Sequence, residues 1–208
     1  MSISKYEDID SFGLDVLKEI GSIGTGNAAT ALSKVLSKKI EMTLPQVKIL
    51  DFNKAIYELG GPETIVAGVL VQLYGEVNGM MLYLQKLDFI NIILESLMGK
   101  KINDYMDLDE IERSALIEVS NIIISSYVNA ISSLTGITIN LSVPDVCVNM
   151  LGGIMNAPIA QYGYETDKLM TIGGAFSCDG RELYSNLILM PEIGSLNFLM
   201  KKLGVASE

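Results

Sequence analysis

The chain contains no histidine and no tryptophan. Without histidine there is no Ser-His-Asp or Cys-His machinery and no phosphohistidine chemistry, and most zinc sites are excluded. Cysteine is scarce as well. Cys147 and Cys178 have neither the spacing nor the context of a metal or redox pair, so both are expected as buried free thiols. Basic residues number 15 against 25 acidic ones, for a net charge of −10, and they are scattered. That argues against nucleic acid and against an anionic membrane surface, which both select clustered lysine and arginine. No signal peptide is visible, and no run of about 18 uncharged apolar residues suggests a membrane span. A reduced, cytoplasmic protein is expected. Any chemistry must rest on carboxylates, amides, hydroxyls or the groups of a partner.

What is present is a large stock of apolar side chains, 49% of 208 residues, ample for a sizeable core. Residues 1–10 read as a polar lead-in. The most informative stretch is Ile111–Leu134, IERSALIEVSNIIISSYVNAISSL. Asp107 and Glu110 stand three apart just before it, the spacing of a capping box. On a helical wheel nearly every direction is apolar. One narrow stripe is not: Ser114, Glu118, Asn121, Ser125 and Ser132 fall within roughly 40° of one line. A helix this apolar is packed on most sides, so one acid and one amide a turn apart form a distinct feature.

The stripe occurs twice. Shifting by 99 takes Ser114 to Asp15, Glu118 to Glu19 and Asn121 to Ser22, within LDVLKEIGSIGTGNAATALSKVL. Gly26 and Ser33 complete the matching line. Pro144 maps onto Pro45, and PQVKIL and PDVCVN follow the two prolines. A register shared over 30 residues or so signals internal duplication, and a period near 100 is too long for a solenoid. The first helix is expected over about Ser11–Ser37. Its Gly24–Ala29 segment fits a phosphate-binding Gly-x-Gly pattern on paper, but that fingerprint needs a strand before it. Close approach of another backbone, such as the sister helix, explains the glycines better.

Strand-like runs follow at 38–45 and 47–52, then at Ile65–Leu73 and Gly79–Leu84, with a short helix over Asp88–Met98. Residues 99–109 form a polar joint. The second half repeats the plan: strands at Ile137–Ser142 and Val146–Met150, a longer excursion over 151–167, strands at Met170–Ser177 and Leu183–Met190 around Cys178-Asp179-Gly180, and a helix within Pro191–Leu203. Hairpins favour an antiparallel sheet. The economical architecture is α+β with pseudo-twofold symmetry: one continuous sheet from both halves and the two long helices on one face. The repeats span about 11–99 and 110–204 of a single domain covering 1–208.

Glutamate and asparagine one turn apart offer two chemistries. The carboxylate can pair with a partner's lysine, and the amide can accept and donate at once, so it can aim a water molecule. The bland alternative is that small polar residues satisfy the next backbone turn or the sister helix. The pattern Asp/Ser-x-x-x-Glu-x-x-Asn, followed about 22 residues later by proline and present twice, resembles the CheC/CheX/FliY phosphatase family of chemotaxis. Ser114, Glu118, Asn121 and Pro144 match it fully, as does EIGxIGxGNAATALS at Glu19–Ser33. The likeness covers essentially the whole chain. Two copies resemble the two-site branch of the family rather than one-site CheX, and the chain ends at Glu208 without the extra flagellar domain of FliY.

The resemblance implies a CheC-like fold and hydrolysis of the aspartyl phosphate of the response regulator CheY, CheY-P. Glu118 would dock on a regulator lysine and Asn121 would place water in line with the phosphate. Ser114 and Asp15 would help docking. Mg²⁺ would come from the regulator, with no cofactor or metal in this chain. The first site, Asp15, Glu19 and Ser22, departs from the pattern at Ser22 and is expected to catalyse poorly. The resemblance also implies a second partner, the receptor deamidase CheD, bound through roughly Asn149–Asp167, including Gly152, Gly153 and Ala157. The asparagine at 149 stands where the family carries an acid, and an ordinary surface loop is the alternative for this segment. A monomer is expected. The competing class is a non-catalytic adaptor, such as a CheD regulator or a flagellar-switch component like the middle domain of FliM. An intact Glu118/Asn121 pair argues for the enzyme.

Overall fold

Two helices of 26 residues frame the molecule, α1 over Ser11–Leu36 and α4 over Glu110–Thr135. A computed structural model describes residues 3–206; Met1 and Ser2 of the lead-in lie outside the described residues. Each long helix begins on an aspartate whose side chain accepts a backbone N–H: Asp10 from Gly13, Asp109 from Glu112. The capping box of α4 is therefore Asp109–Glu112, two residues later than Asp107–Glu110. The reason is a tight turn at Tyr105–Asp107, closed by its own Asp104–Asp107 box and anchored by buried Tyr105 and Leu108. Glu112 also meets Lys100, Nζ to Oε1 2.6 Å.

The hydrogen bond from the Glu112 N–H holds the Asp109 carboxyl below its usual range, with Lys100 adding to the effect. A depressed carboxyl stabilises the fold above its unfolded value and loses that contribution as pH falls through its folded one. Asp109→Ala is accordingly expected to lower the urea midpoint at neutral pH, and the gap from wild type should close in acid. A gap that persists undiminished in acid would assign the effect to something other than the charged cap.

The helices lie against each other at a site built from glycine. A Cβ on Gly24 would sit 2.5 Å from Cδ1 of Tyr127, and the Thr25 and Tyr127 hydroxyls are 2.7 Å apart. Burial pushes the Tyr127 phenol above its ordinary range, with Thr25 partly opposing. The glycines of helix one thus serve the sister helix, as close approach requires. Overpacking of this kind costs ~1–3 kcal/mol. Gly24→Ala should lower the urea unfolding midpoint with the slope unchanged, whereas Gly26→Ala, where a Cβ would meet Met42 Sδ at an ordinary 3.6 Å, should not.

Eight strands form one antiparallel sheet. β1 (Ile40–Met42) and β2 (Gln46–Asp51) follow α1; β3 (Ile65–Gly75) and β4 (Gly79–Gln85) make the first hairpin. β5 (Ile139–Leu141), β6 (Asp145–Met150), β7 (Lys168–Cys178) and β8 (Arg181–Pro191) repeat them. The hairpin β7–β8 turns at Asp179 and Gly180, both with positive φ, as a two-residue type I′ loop needs. The halves exchange partners. β1 and β2 pair with β7 of the other half, β5 and β6 pair with β3, and β4 lies beside β8 at the centre.

On one face of the sheet α1, α4, α3 (Leu87–Met98) and α7 (Ile193–Lys202) enclose the larger core, including Tyr83, Phe89, Met170 and Phe176. The opposite face carries a second core under three short helices that the sequence reading did not resolve: α2 (Phe52–Glu58), α5 (Leu151–Ile154) and α6 (Asn156–Tyr162). The longer second-half excursion lays α5 over Gly68 and links Gln161 to Gln72. In the first half α2 stands alone, and an open groove lined by Gln46, Lys48, Thr171, Gly173, Tyr184 and Asn186 remains.

Several expectations are corrected. The lead-in is not merely polar: Ile3, Tyr6 and Ile9 are buried, and the Tyr6 hydroxyl donates to the Pro191 carbonyl at 2.8 Å. The joint before α4 buries Ile102. Cys178 is buried, with its thiol pushed up chiefly by desolvation, but Cys147 is exposed on β6. By length and composition α4 could cross a membrane; its apolar sides are instead taken up by α1, α3 and the sheet.

Candidate functional site

The stripe of α4 faces solvent. Ser114 and Glu118 are exposed and Asn121 is half-buried. Among the described residues neither the Glu118 carboxylate nor the Asn121 amide has a hydrogen-bond or ion-pair partner within the chain, whereas the Ser114 hydroxyl donates to the Glu110 carbonyl at 2.8 Å. The other sides of the helix bury Leu116, Val119, Ile123, Ile124 and Tyr127. This packing fixes the helix and aims the stripe outward. Asn121 and Ser125 line an open groove with Asn140, Ser142, Val143 and Pro144. The proline thus lies beside the amide, which its distance along the chain conceals.

The first site has the same placement and different chemistry. Asp15 and Glu19 are exposed and Ser22 is half-buried. Asp15 pairs with Lys18 at 2.8 Å, a residue whose counterpart in α4 is Ile117. The Ser22 hydroxyl donates to the Lys18 carbonyl at 3.0 Å. Its one proton is therefore spent on the helix, and only lone pairs remain for a ligand. The Glu19 carboxylate has no such partner among the described residues.

The residues assigned to a second partner lie on the other face. Asn149 is exposed at the end of β6, and its Oδ1 accepts from the Met150 N–H at 2.8 Å. Gly152 and Gly153 belong to α5, with the Gly152 N–H donating to the Pro62 carbonyl at 3.0 Å, and Ala157 is exposed on α6. The fold does not bring them to the stripes.

Sequence reasoning missed the surroundings of the stripes. Ile111 begins the polar line of α4 yet is exposed, and so is Phe12, its counterpart in α1. Their shared place in the repeat was visible, but apolar type alone suggested burial.

The duplicated sheet with two long helices on one face is a fold shared with solved structures. The crystal structure of Thermotoga maritima FliY aligns with a TM-score of 0.74 at 23% identity, covering 94% of this chain and 97% of that one. The FliM middle domain from H. pylori gives 0.67 at 10% identity over 93% and 99%. A model of the CheC-like family matches residues 12–49 and 111–148. These two segments are related by the same shift of 99, since 111 − 12 = 99 and 148 − 49 = 99. The CheY-P phosphatase CheC of Bacillus subtilis (strain 168) is 27% identical over 208 residues, 98% of this chain and 100% of that protein.

Proposed function

We propose that this protein is a chemotaxis phosphatase that hydrolyses the aspartyl phosphate of CheY-P, with the second site dominant. The observation that carries the reading is the pair of solvent-facing side chains, Glu118 and Asn121, one turn apart and without partners within the described residues. Glu118 docks by pairing with a lysine of the regulator. Asn121 enters the regulator's site and holds a water by donating through its amide N–H₂ and accepting through its carbonyl. The water oxygen attacks phosphorus in line, the bond from phosphorus to the carboxylate oxygen breaks, and the regulator's aspartate leaves as the free carboxylate. Inorganic phosphate is the other product. An acyl phosphate is already labile, so aiming one water needs to supply only a few kcal/mol, at ~1.4 kcal/mol per tenfold.

Mg²⁺ is assigned to the regulator. Among the described residues no cluster of three His, Cys, Asp or Glu side chains is placed to hold a metal. The protein is read as a cytoplasmic monomer. CheD is assigned to the segment Asn149–Asp167, where Asn149 and Ala157 are exposed, away from both stripes. The alternative, a non-catalytic switch adaptor, draws on the likeness to the FliM middle domain. The decisive measurement is the decay of phosphorylated CheY with and without the protein. Faster decay supports the phosphatase; an unchanged rate leaves the adaptor.

A further inference from the structure

Both stripes are bracketed by exposed apolar side chains at repeat-equivalent positions. Ile111 is 70% exposed and Phe12 57%; Val143 is 88% exposed and Leu44 80%. The shift of 99 relates the members of each pair: 111 − 12 = 99 and 143 − 44 = 99. The identities have diverged, isoleucine against phenylalanine and valine against leucine, while size class and exposure have not. A residue kept for the core would be buried. Ile111 lies within about 20° of Glu118 on the helix and about 15 Å along the axis from Asn121. Val143 shares the groove with Asn121 and precedes Pro144, which biases it away from helix and toward an extended backbone. In the first half, Pro45 reaches Gly21 and Met42 reaches Gly26, so Leu44 between them is held beside the Ser22 end of that stripe.

We propose that these pairs are the apolar ends of two equivalent docking surfaces, and that the first surface, Phe12–Glu19–Leu44, holds a phosphorylated response regulator without hydrolysing it. The inference rests on the phosphatase reading for the identity of the partner. Each surface has an acid free of intramolecular cations among the described residues, set between two apolar contacts. That suits a partner presenting one basic side chain flanked by apolar surface, and on the phosphatase reading that side chain is the regulator's docking lysine. The first surface keeps the acid and both apolar ends and has a serine, tied back to its own helix, where the second has the amide. Holding and hydrolysis are thereby separated between the two halves.

The test uses the intact protein and CheY loaded with beryllofluoride as a stable phosphoryl mimic. Calorimetry should give two regulators per chain, and one after Phe12→Asp/Leu44→Asp. With authentic CheY-P, Ile111→Asp/Val143→Asp should raise KM at least tenfold while kcat holds. Ile111→Ser provides a milder change at an exposed position, and equal thermal midpoints exclude unfolding. One bound regulator in the wild type, or an unmoved KM, overturns the inference even where hydrolysis is observed. Two bound regulators without accelerated hydrolysis would leave the docking surfaces standing and remove the phosphatase reading. Self-association of the wild type that Ile111→Asp abolishes would assign the surface to a second copy of the chain and overturn the inference too.

Discussion

Asn121→Ala is expected to return the decay of CheY-P to the regulator's own rate. The amide one turn from Glu118 can both donate to and accept from one water, and alanine keeps the helix while removing it. A misplaced water costs on the order of a hundredfold in rate. The loss should appear in kcat with KM nearly unchanged, because docking is left to Glu118 and its apolar neighbours. Ser22→Ala should do little, since its hydroxyl proton is already committed to the Lys18 carbonyl. Ser22→Asn placed on the Asn121→Ala background should restore part of the lost activity, as the first helix already presents Glu19 at the right spacing. Equal losses for Asn121→Ala and Ser22→Ala would contradict the division of labour. Failure of Ser22→Asn to rescue would point instead to Lys18, which the second site lacks.

Charge reversal at Glu118 should act through the other parameter. Losing a hydrogen bond to a charged group costs ~1.5–3 kcal/mol, which is about 10- to 150-fold. Placing a lysine opposite the regulator's lysine adds repulsion. For Glu118→Lys we expect kcat/KM to fall by at least about a hundredfold, dominated by KM. Glu118→Gln should retain more, because the amide still accepts a hydrogen bond without the charge. The exposed side chain has no partner among the described residues, so neither change should shift the thermal midpoint. Rising salt should weaken the wild type and leave Glu118→Gln nearly insensitive. A wild-type KM independent of salt would count against the docking role.

Some of this molecule is legible in its residues and some is not, for identifiable reasons. The long helices and the shift of 99 are plain because stripe, cap and proline recur over dozens of positions. The hairpins are plain because Gly75, Asn78, Asp179 and Gly180 punctuate apolar runs. The capping box of α4 is misplaced by two residues because Asp104, Asp107 and Asp109 each accept backbone N–H groups, and burial of Tyr105 and Leu108 decides which begins the helix. Helices α2, α5 and α6 are hidden because each has seven residues or fewer and packs on the sheet rather than declaring a period. Exposure of Ile111 and Phe12 is hidden because hydropathy encodes only a preference for burial, not the position of a side chain on the finished surface. Strand exchange between the halves depends on pairings far apart along the chain, such as Gly75 with Ile139 and Ile40 with Cys178, which no local pattern specifies.

That exchange has an evolutionary consequence. With β1 and β2 stitched to β7, and β5 and β6 to β3, neither copy of the ancestral unit owns a finished sheet. A copy whose chemistry has decayed cannot then be deleted, because its twin would be left with bare edges. The half that carries serine at position 22 can therefore change its reactive groups while its strands stay indispensable to the sheet.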